Sequence, residues 1–291
     1  MDNEMSVNSY YQDKVVLITG ATSGIGRALG EELCRVGAHV AFTGRRVELA
    51  DEIVDGLVRA GGHAESLRLD VTDAVAVQRA IEDVCRRQGR LDILFNNAGI
   101  TIAGEVLDLQ LEHWRRVIDV DLMGILHGIH AAYPVMVRQK SGQIVNVASL
   151  AGLVGYPANT PYASAKAAIV MLSHCLRVEA EALGVKINVV CPGYVETEIF
   201  QVSPVIHADK NQILKQRPFK TISARAAARV ILAGVARNKA SIVFPAYARV
   251  LWWLYRLNPK LLLPLGRKVM DRFRAAKVMP LAEGLQTDVD S

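Results

Sequence analysis

Short, charge-free apolar runs alternate with longer stretches of helical periodicity from residue 14 to about residue 244. KVVLIT (14–19) ends at Gly20, and helical spacing follows through Leu29 and Leu33. HVAFT leads into VELADEIVDGLVRA, AESLRL into AVAVQRAIEDVCRRQ, and LDILFN into a long helical stretch around 111–133. GQIVNVA, KINVVC and SIVFP continue the series, with one intervening helix carrying YASAK and another starting near residue 224. Apolar strands of this kind suit burial on both faces, and helices between them impose parallel pairing with right-handed crossovers. The expectation is an α/β chain built on a doubly wound parallel sheet, in one large domain that no Pro/Gly/Ser-rich linker divides.

Composition removes several alternatives. A hydrophobic content of 51% with 22% charged residues describes a globular chain with an ample core. Residues 141–165 carry no charge, but Pro157, Pro161 and three glycines break them, so they read as strand, loop and helix start rather than a membrane span. Cys34, Cys85, Cys175 and Cys191 show neither a CxxC pair nor metal-ligand spacing and read as reduced core thiols, with no metal site. The opening MDNEMSVNSYYQDK lacks the apolar run of a secretory signal, which gives cytoplasmic placement as the expectation. The net charge of +5 is concentrated late: residues 245–280 hold eight Lys/Arg against Asp271 alone, and the remainder is slightly acidic.

The first strand-to-helix turn is TGATSGIG (19–26). Gly20, Gly24 and Gly26 there allow close backbone approach to a pyrophosphate, and the helix N-terminus supplies N–H donors. The alternative is a tight turn that simply needs glycine. After the second strand, Gly44 is followed by Arg45 and Arg46 where an acidic residue would receive the ribose hydroxyls of NAD. Guanidinium groups at that tip suit a 2′-phosphate and favour NADP(H) over NAD(H); the alternative is a pair of solvated arginines at a helix start. Asp70 reads equally as an acceptor for the adenine amino group and as part of the next helix's N-cap. In NNAG (96–99), Asn side chains can tie strand ends together and Gly99 can let backbone pass a cofactor.

YASAK (162–166) places Tyr162 and Lys166 four residues apart, on one face of a helix. A phenol titrates near 10 and a neighbouring ammonium favours its phenolate, so the pair can exchange protons nearer neutrality. Alone, such a pair is more simply a packed Tyr and a snorkelling Lys. Ser149, just past QIVNVA, supplies a hydroxyl that could meet a carbonyl oxygen beside the phenol.

Together these residues resemble the short-chain dehydrogenases/reductases, in their single-domain branch. TGxxxGIG, NNAG, Ser149, Tyr162 to Lys166, and Pro192–Gly193 occur in that family's order, and the likeness covers about residues 12–245. The resemblance implies a seven-stranded Rossmann sheet and hydride transfer at the nicotinamide. It implies Tyr162 as general acid/base, Ser149 polarising the substrate oxygen, and Lys166 holding the nicotinamide ribose and lowering the tyrosine pKa. The cofactor would be met by Gly20, Thr22, Ser23, Gly24, Ile25, Gly26, Arg45, Arg46, Asp70 and Val71, and by Asn97, Ala98, Gly99, Tyr162 and Lys166. Pro192, Gly193 and Val195 would join them, with Thr197 at the carboxamide. One position departs from the family pattern: VDLMG puts Asp121 where VNLxG has the fourth catalytic residue, Asn. An ionised carboxylate can accept and can pair with Lys166 but cannot donate; a protonated Asp121 would restore a donor.

Residues 194–223 are too long for an ordinary connection and, by the same resemblance, form a substrate lid. Phe200, Val202, Val205, Ile206 and Ile213 give it an apolar lining, and His207 with Asp209 reads as a solvated pair more simply than as substrate ligands. Residues 246–291 form a basic, apolar helical extension. Its Trp252, Trp253 and Leu-rich runs among Lys/Arg match an interfacial helix on an anionic membrane, a helix packed on the domain, or an oligomer interface. The resulting expectation is an NADP(H)-dependent oxidoreductase of hydrophobic alcohols or ketones (steroid-, retinoid- or oxo-lipid-like), assembled as a homodimer or homotetramer. The alternative is a non-catalytic NADP(H)-binding regulator or scaffold. A nucleotide-sugar dehydratase would carry a larger C-terminal domain, and no nucleic-acid reading motif accompanies the basic tail.

Overall fold

The computed structural model describes residues 2–215 and 219–278, with the backbone alone at 2–6. Residues 216–218 of the expected lid and 279–291 of the expected extension lie outside the described residues. In chain order the elements are α1 (Asp2–Tyr11), β1 (Val15–Ile18), α2 (Gly24–Arg35), β2 (His39–Gly44), α3 (Val47–Arg59), β3 (His63–Arg68) and α4 (Ala74–Gln88). Next come β4 (Ile93–Asn96), α5 (Leu111–Ile118), a π-helical turn (Asp119–Met123), α6 (Gly124–Gln139), β5 (Gly142–Val147) and α7 (Thr160–Glu181). The chain continues through β6 (Val185–Pro192), β7 (Val195–Glu196), α8 (Ile199–Val202), α9 (Lys210–Lys215), β8 (Ile222–Ser223), α10 (Ala224–Ala236) and β9 (Ser241–Phe244). After these come α11 (Ala246–Leu257), a 3-10 turn (Pro259–Leu262) and α12 (Leu263–Ala275).

Seven strands form one parallel sheet in the order β3-β2-β1-β4-β5-β6-β9, and β7 pairs with β8 in a separate parallel pair. This is the expected seven-stranded doubly wound sheet, whose order reverses between β1 and β4. Strand side chains alternate between two cores, as period-two geometry requires. Val16, Ile18, Val40, Phe42, Ile93, Phe95, Val145 and Val190 face α2, α3 and α10, where Leu29, Leu33, Ile53 and Ile231 meet them. Val15, Leu17, Ala41, Leu94, Ile144, Ile187 and Val189 face α4, α6 and α7, against Ile81, Ile129, Met136 and Ile169. Each such side chain, fully buried, contributes roughly 1.5–3 kcal/mol of transfer free energy, so both faces support the sheet.

Two features depart from the expectation. The N-terminal segment, with no amphipathic spacing, forms α1; Tyr11 is fully buried with its hydroxyl donating to Leu232 O at 2.7 Å, and Tyr10 donates to Gln143 Oε1 at 2.6 Å. The helical stretch expected near 111–133 runs on to Gln139 and contains the π turn. By length and composition Leu111–Gln139 could cross a bilayer, yet Ile125, Ile129 and Met136 pack it on the sheet core.

Candidate active site

The site gathers at the C-terminal ends of β1, β2, β4, β5 and β6, beside the point where the strand order reverses, the place where open α/β sheets bind ligands. Its floor begins with the glycine turn. Gly20 and Gly24 have φ of +65° and +54°, so each needs the freedom of glycine. A Cβ on Gly20 would approach Ala98 Cα to 2.8 Å, one on Gly24 would reach Thr197 Cγ2 at 3.0 Å, and one on Gly26 would overlap Asn97 Nδ2 and Gly20 O. The glycines therefore bring Ala98, Asn97 and Thr197 together around a backbone cradle. Ser23 stands at the N-cap of α2 without a side-chain cap bond, with Ile25 and Gly26 in the first turn. Thr22 is buried, and a Cβ on Gly44 would press against its methyl.

Asn residues tie the strand ends. Asn96 Nδ2 donates to Asn146 Oδ1 at 2.9 Å, and Asn97 Nδ2 donates to Thr19 O at 2.9 Å and Gly20 O at 3.0 Å. The amides of Asn97 and Ala98 both donate to Thr19 Oγ1, a junction that motif reading did not single out. At the β2 tip, Arg45 and Arg46 are exposed, and Arg46 lies 3.9 Å from Glu198, a surface contact of little energetic weight. Asp70 does not cap α4; Asp73 does, accepting from Val75 N and Ala76 N. Asp70 instead accepts from Thr72 N at 3.0 Å and Thr72 Oγ1 at 2.8 Å. Burial works against its charge, but those bonds and Arg45 hold its carboxyl below the usual range. Val71 is buried against Gly124, its carbonyl 2.8 Å from His127 Nδ1.

Ser149 caps the 3-10 turn after β5, its Oγ accepting from Ala151 N at 3.1 Å, and its hydroxyl is placed to favour the Tyr162 phenolate. Tyr162 and Lys166 sit on the first turns of α7, with Lys166 Nζ 5.4 Å from the phenol ring centroid. Lys166 is 3% exposed and donates from Nζ to Val147 O at 3.0 Å. Beneath it is Asp121, wholly buried in the π turn. Asp121 Oδ2 pairs with Lys166 Nζ at 3.1 Å without a well-directed hydrogen bond, and Oδ1 accepts from Ile100 N at 2.8 Å. Gly99 faces both charges; a Cβ there would stand 3.3 Å from each.

The electrostatics of this pocket are set by burial first. Burial raises the Tyr162 pKa; Lys166 and Ser149 pull it down and Asp121 pushes it up, with the net result above the ordinary 10.0. Lys166 acts in the expected sense, but burial outweighs it. Burial disfavours the Lys166 ammonium, yet Asp121 and Tyr162 hold its pKa above the usual 10.5. Burial raises that of Asp121, opposed by Lys166 and the Ile100 amide. Oδ1 faces the Ile100 amide and Oδ2 the Lys166 ammonium, so the ionised form is placed to accept, while burial, the largest influence, leaves the Asp121 pKa above the ordinary 3.8 and so favours the protonated form.

Pro192 ends β6, and Gly193 N donates to Phe244 O at 2.7 Å. Tyr194 N then donates to the hydroxyl of Tyr247 on α11 at 2.6 Å, a support from the extension that sequence motifs did not mark. Val195 is buried in β7.

The lid residues divide. Ile206 joins Ile102, Val117, Ala165 and Leu109 around Tyr162, whereas Val205 and Ile213 pack with Phe273 and Met270 of α12. Phe200 lies beside Tyr194, and Val202 points to solvent. His207 and Asp209 do not pair: His207 Nδ1 lies 3.5 Å from Asp108 Oδ1, and Asp209 Oδ1 accepts from Asn211 N and Gln212 N. The lid is stitched on both sides. Ala103 N donates to Pro204 O and Ile206 N to Ala103 O, while Asp209 N donates to Ala276 O and Val278 N to His207 O. Lys277 then bridges Glu105 Oε2 at 2.5 Å and Asp108 Oδ2 at 2.7 Å, and Arg274 pairs with Glu105. Two of the tail's basic residues are thus neutralised by the domain.

A family model described as short chain dehydrogenase matches residues 14–204. The chain is 36% identical over 200 residues to meso-2,3-butanediol dehydrogenase of Serratia marcescens, covering 69% of this chain and 78% of that protein. It is 32% identical over 243 residues to cyclohexanol dehydrogenase of Acinetobacter sp., covering 82% and 94%. It is also 35% identical over 193 residues to a 3-oxoacyl-[acyl-carrier-protein] reductase of Thermotoga maritima, covering 66% and 78%. A crystal structure of a short-chain dehydrogenase/reductase from Burkholderia phymatum in complex with NAD superposes with a TM-score of 0.79 at 27% identity, covering 86% of this chain and 95% of that one.

Proposed function

Because this chain belongs to the short-chain dehydrogenase/reductase family of oxidoreductases, we propose that it interconverts a hydrophobic alcohol and its ketone with NADP(H). The observation that carries this reading is the convergence of the Ser149 hydroxyl, the Tyr162 phenol and the buried Lys166 ammonium beside an apolar wall. The glycine turn fits a nicotinamide dinucleotide: a Cβ on Gly20, Gly24 or Gly26 would collide with Ala98, Thr197 or Asn97 and push apart the backbone that would receive the pyrophosphate. Gly20, Thr22, Ser23, Gly24, Ile25 and Gly26 would hold the pyrophosphate, Arg45 and Arg46 the 2′-phosphate, and Asp70 and Val71 the adenine. Asn97, Ala98, Gly99 and Lys166 would hold the nicotinamide half with Pro192, Gly193, Val195 and Thr197. Bound there, the cofactor supplies or takes up the hydride at the substrate carbon.

In reduction, Tyr162 gives its proton to the carbonyl oxygen as the C–O bond becomes that of an alkoxide, and Ser149 donates to the same oxygen. Lys166 stabilises the phenolate left behind, and Asp121 keeps that ammonium charged. In oxidation the phenolate takes the hydroxyl proton. Ile102, Leu109, Val117 and Ile206 exclude water and favour an apolar substrate of the steroid, retinoid or oxo-lipid kind. Residues 12–245 would be the catalytic domain and 246–291 an extension, in a cytoplasmic homodimer or homotetramer able to touch a membrane.

The test is titration with NADPH and NADH, followed by turnover of a panel of apolar ketones in wild type and Tyr162→Phe. Tighter NADPH binding, with turnover reduced by about 100-fold or more in the variant, supports the reading. Binding without turnover in either direction would replace it with a cofactor-binding regulator.

A further inference from the structure

α11 is fixed at its start and open along its length. Tyr247 supports the Gly193–Tyr194 backbone and stacks on Phe219 at 4.4 Å, and Ala248 is fully buried. Beyond them, Val250, Trp253 and Leu257 stand at i, i+3 and i+7 on one stripe, with Trp253 64% and Leu257 66% exposed. Leu261 and Leu263, in and just after the following 3-10 turn, continue the exposed apolar surface. Each part of the stripe has a basic neighbour in sequence: Arg249 beside Val250, Arg256 beside Leu257, Lys260 beside Leu261. Arg267 and Lys268 on α12 are exposed as well, and Asp271 is the one carboxylate between residues 246 and 275. Arg256 lies over the Trp252 ring at 5.4 Å.

We propose that this face of α11 and the turn after it docks on an anionic lipid bilayer. Apolar side chains in a stripe fit the headgroup–acyl boundary, and the flanking cations fit the phosphates above it. Trp253 has the amphipathic ring suited to that depth. The charge decides against a second copy of the chain. In a two-fold contact the patch would meet itself, bringing Arg249, Arg256 and Lys260 against the same three cations with no carboxylate between them. The proposal deepens the membrane-contact part of the functional reading and rests on neither the cofactor nor the hydride step. From this face α12 continues to Met270 and Phe273, which pack on lid residues Val205 and Ile213.

The test is flotation of the full-length protein with vesicles of mixed phosphatidylcholine and phosphatidylglycerol, against vesicles of phosphatidylcholine alone. Wild type is expected to float with the anionic vesicles and to be released by salt. Trp253→Ser/Leu257→Ser, and separately Arg249→Glu/Arg256→Glu/Lys260→Glu, are each expected to weaken partitioning by about tenfold or more. Val250→Ser/Leu257→Ser serves as a second stripe variant should the first fold poorly, and thermal unfolding with NADPH binding checks all of them. Failure of wild type to float, flotation unaffected by the variants, or a change of oligomer mass in the stripe variants without lipid binding would overturn the proposal. Turnover of a water-soluble ketone, read in the same samples, judges the reductase reading separately.

Discussion

Asp121 lies directly beneath Lys166, its Oδ2 3.1 Å from Nζ, and neither side chain is more than 4% exposed. Ile100 N and Val147 O complete the arrangement, so a buried cation is held beside the phenol by a buried anion. Such a pair is costly to form and more costly to break. Lys166→Met would leave Asp121 as an uncompensated internal charge, and the expected loss is about 3–5 kcal/mol of stability. Equilibrium denaturation of Lys166→Met against Tyr162→Phe checks this; equal stabilities would contradict it.

The same carboxylate adds to burial in raising the pH at which the phenol ionises. Since the Tyr162 pKa is raised above 10.0, the proton stays on the phenol through neutrality. Ketone reduction is therefore expected to be level there, and alcohol oxidation to rise with pH. Asp121→Asn removes a negative charge that opposes the phenolate. The rising limb of oxidation should move to lower pH. A pH–rate profile for both proteins decides it, and an unmoved limb would uncouple Asp121 from Tyr162.

Arg45 and Arg46 stand exposed where β2 ends. Charge-assisted hydrogen bonds to a phosphate contribute about 1.5–3 kcal/mol each, so Arg45→Ala/Arg46→Ala should weaken NADPH binding by about tenfold or more and leave NADH nearly unchanged. Equal losses for both cofactors would assign the pair to fold or lid support through Glu198.

The Glu105–Asp108–Lys277 cluster predicts a pH window. Burial works against both carboxylates, but Lys277, joined by Arg274 at Glu105 and His207 at Asp108, holds them below their ordinary 4.5 and 3.8. Burial likewise works against the Lys277 ammonium, and the two acids raise it above 10.5. Depressed acids lend stability above their unfolded values and lose it as pH falls through the folded ones; the raised amine loses its contribution only as pH climbs past 10.5. Amide exchange of residues 205–209 and 273–278 should therefore be slow and pH-independent in opening between about pH 5 and 10 and loosen in acid. Lys277→Met should speed opening about tenfold or more at neutral pH.

Gly26 lies where a Cβ would overlap Asn97 Nδ2 and Gly20 O. Gly26→Ala is expected to cost about 1–3 kcal/mol and to weaken cofactor binding, because the displaced Asn97 bonds hold the turn. Thermal unfolding together with NADPH titration measures both, and an unchanged midpoint would show that the turn relaxes freely.

What the sequence displays well is local. The strands, the glycine turn and the Tyr162–Lys166 spacing each depend on residues within one turn or one strand, so their patterns survive in linear form. Asp70 misleads as a cap because Asp73, three residues on, has the same chemistry and the better position. α1 is hidden because its register follows from tertiary contacts of Tyr10 and Tyr11 rather than from its own spacing. The lid stitching is invisible for a related reason: Lys277 and its partner Asp108 are 169 positions apart, and no local pattern announces that the tail returns to the site.

The π turn at Asp119–Met123 gives the site a particular fragility toward changes of chain length. One surplus residue is stored there, and it turns Asp121 inward between two α-helical segments of otherwise ordinary pitch. Deleting a single residue from the turn would restore a continuous α-helix and rotate α5 against α6 by about 100°. The apolar faces that seat both helices could then no longer be satisfied together with the Asp121–Lys166 pair. In that sense the helix works as a combination lock: point substitutions change what one tumbler does, while a one-residue deletion misaligns all of them.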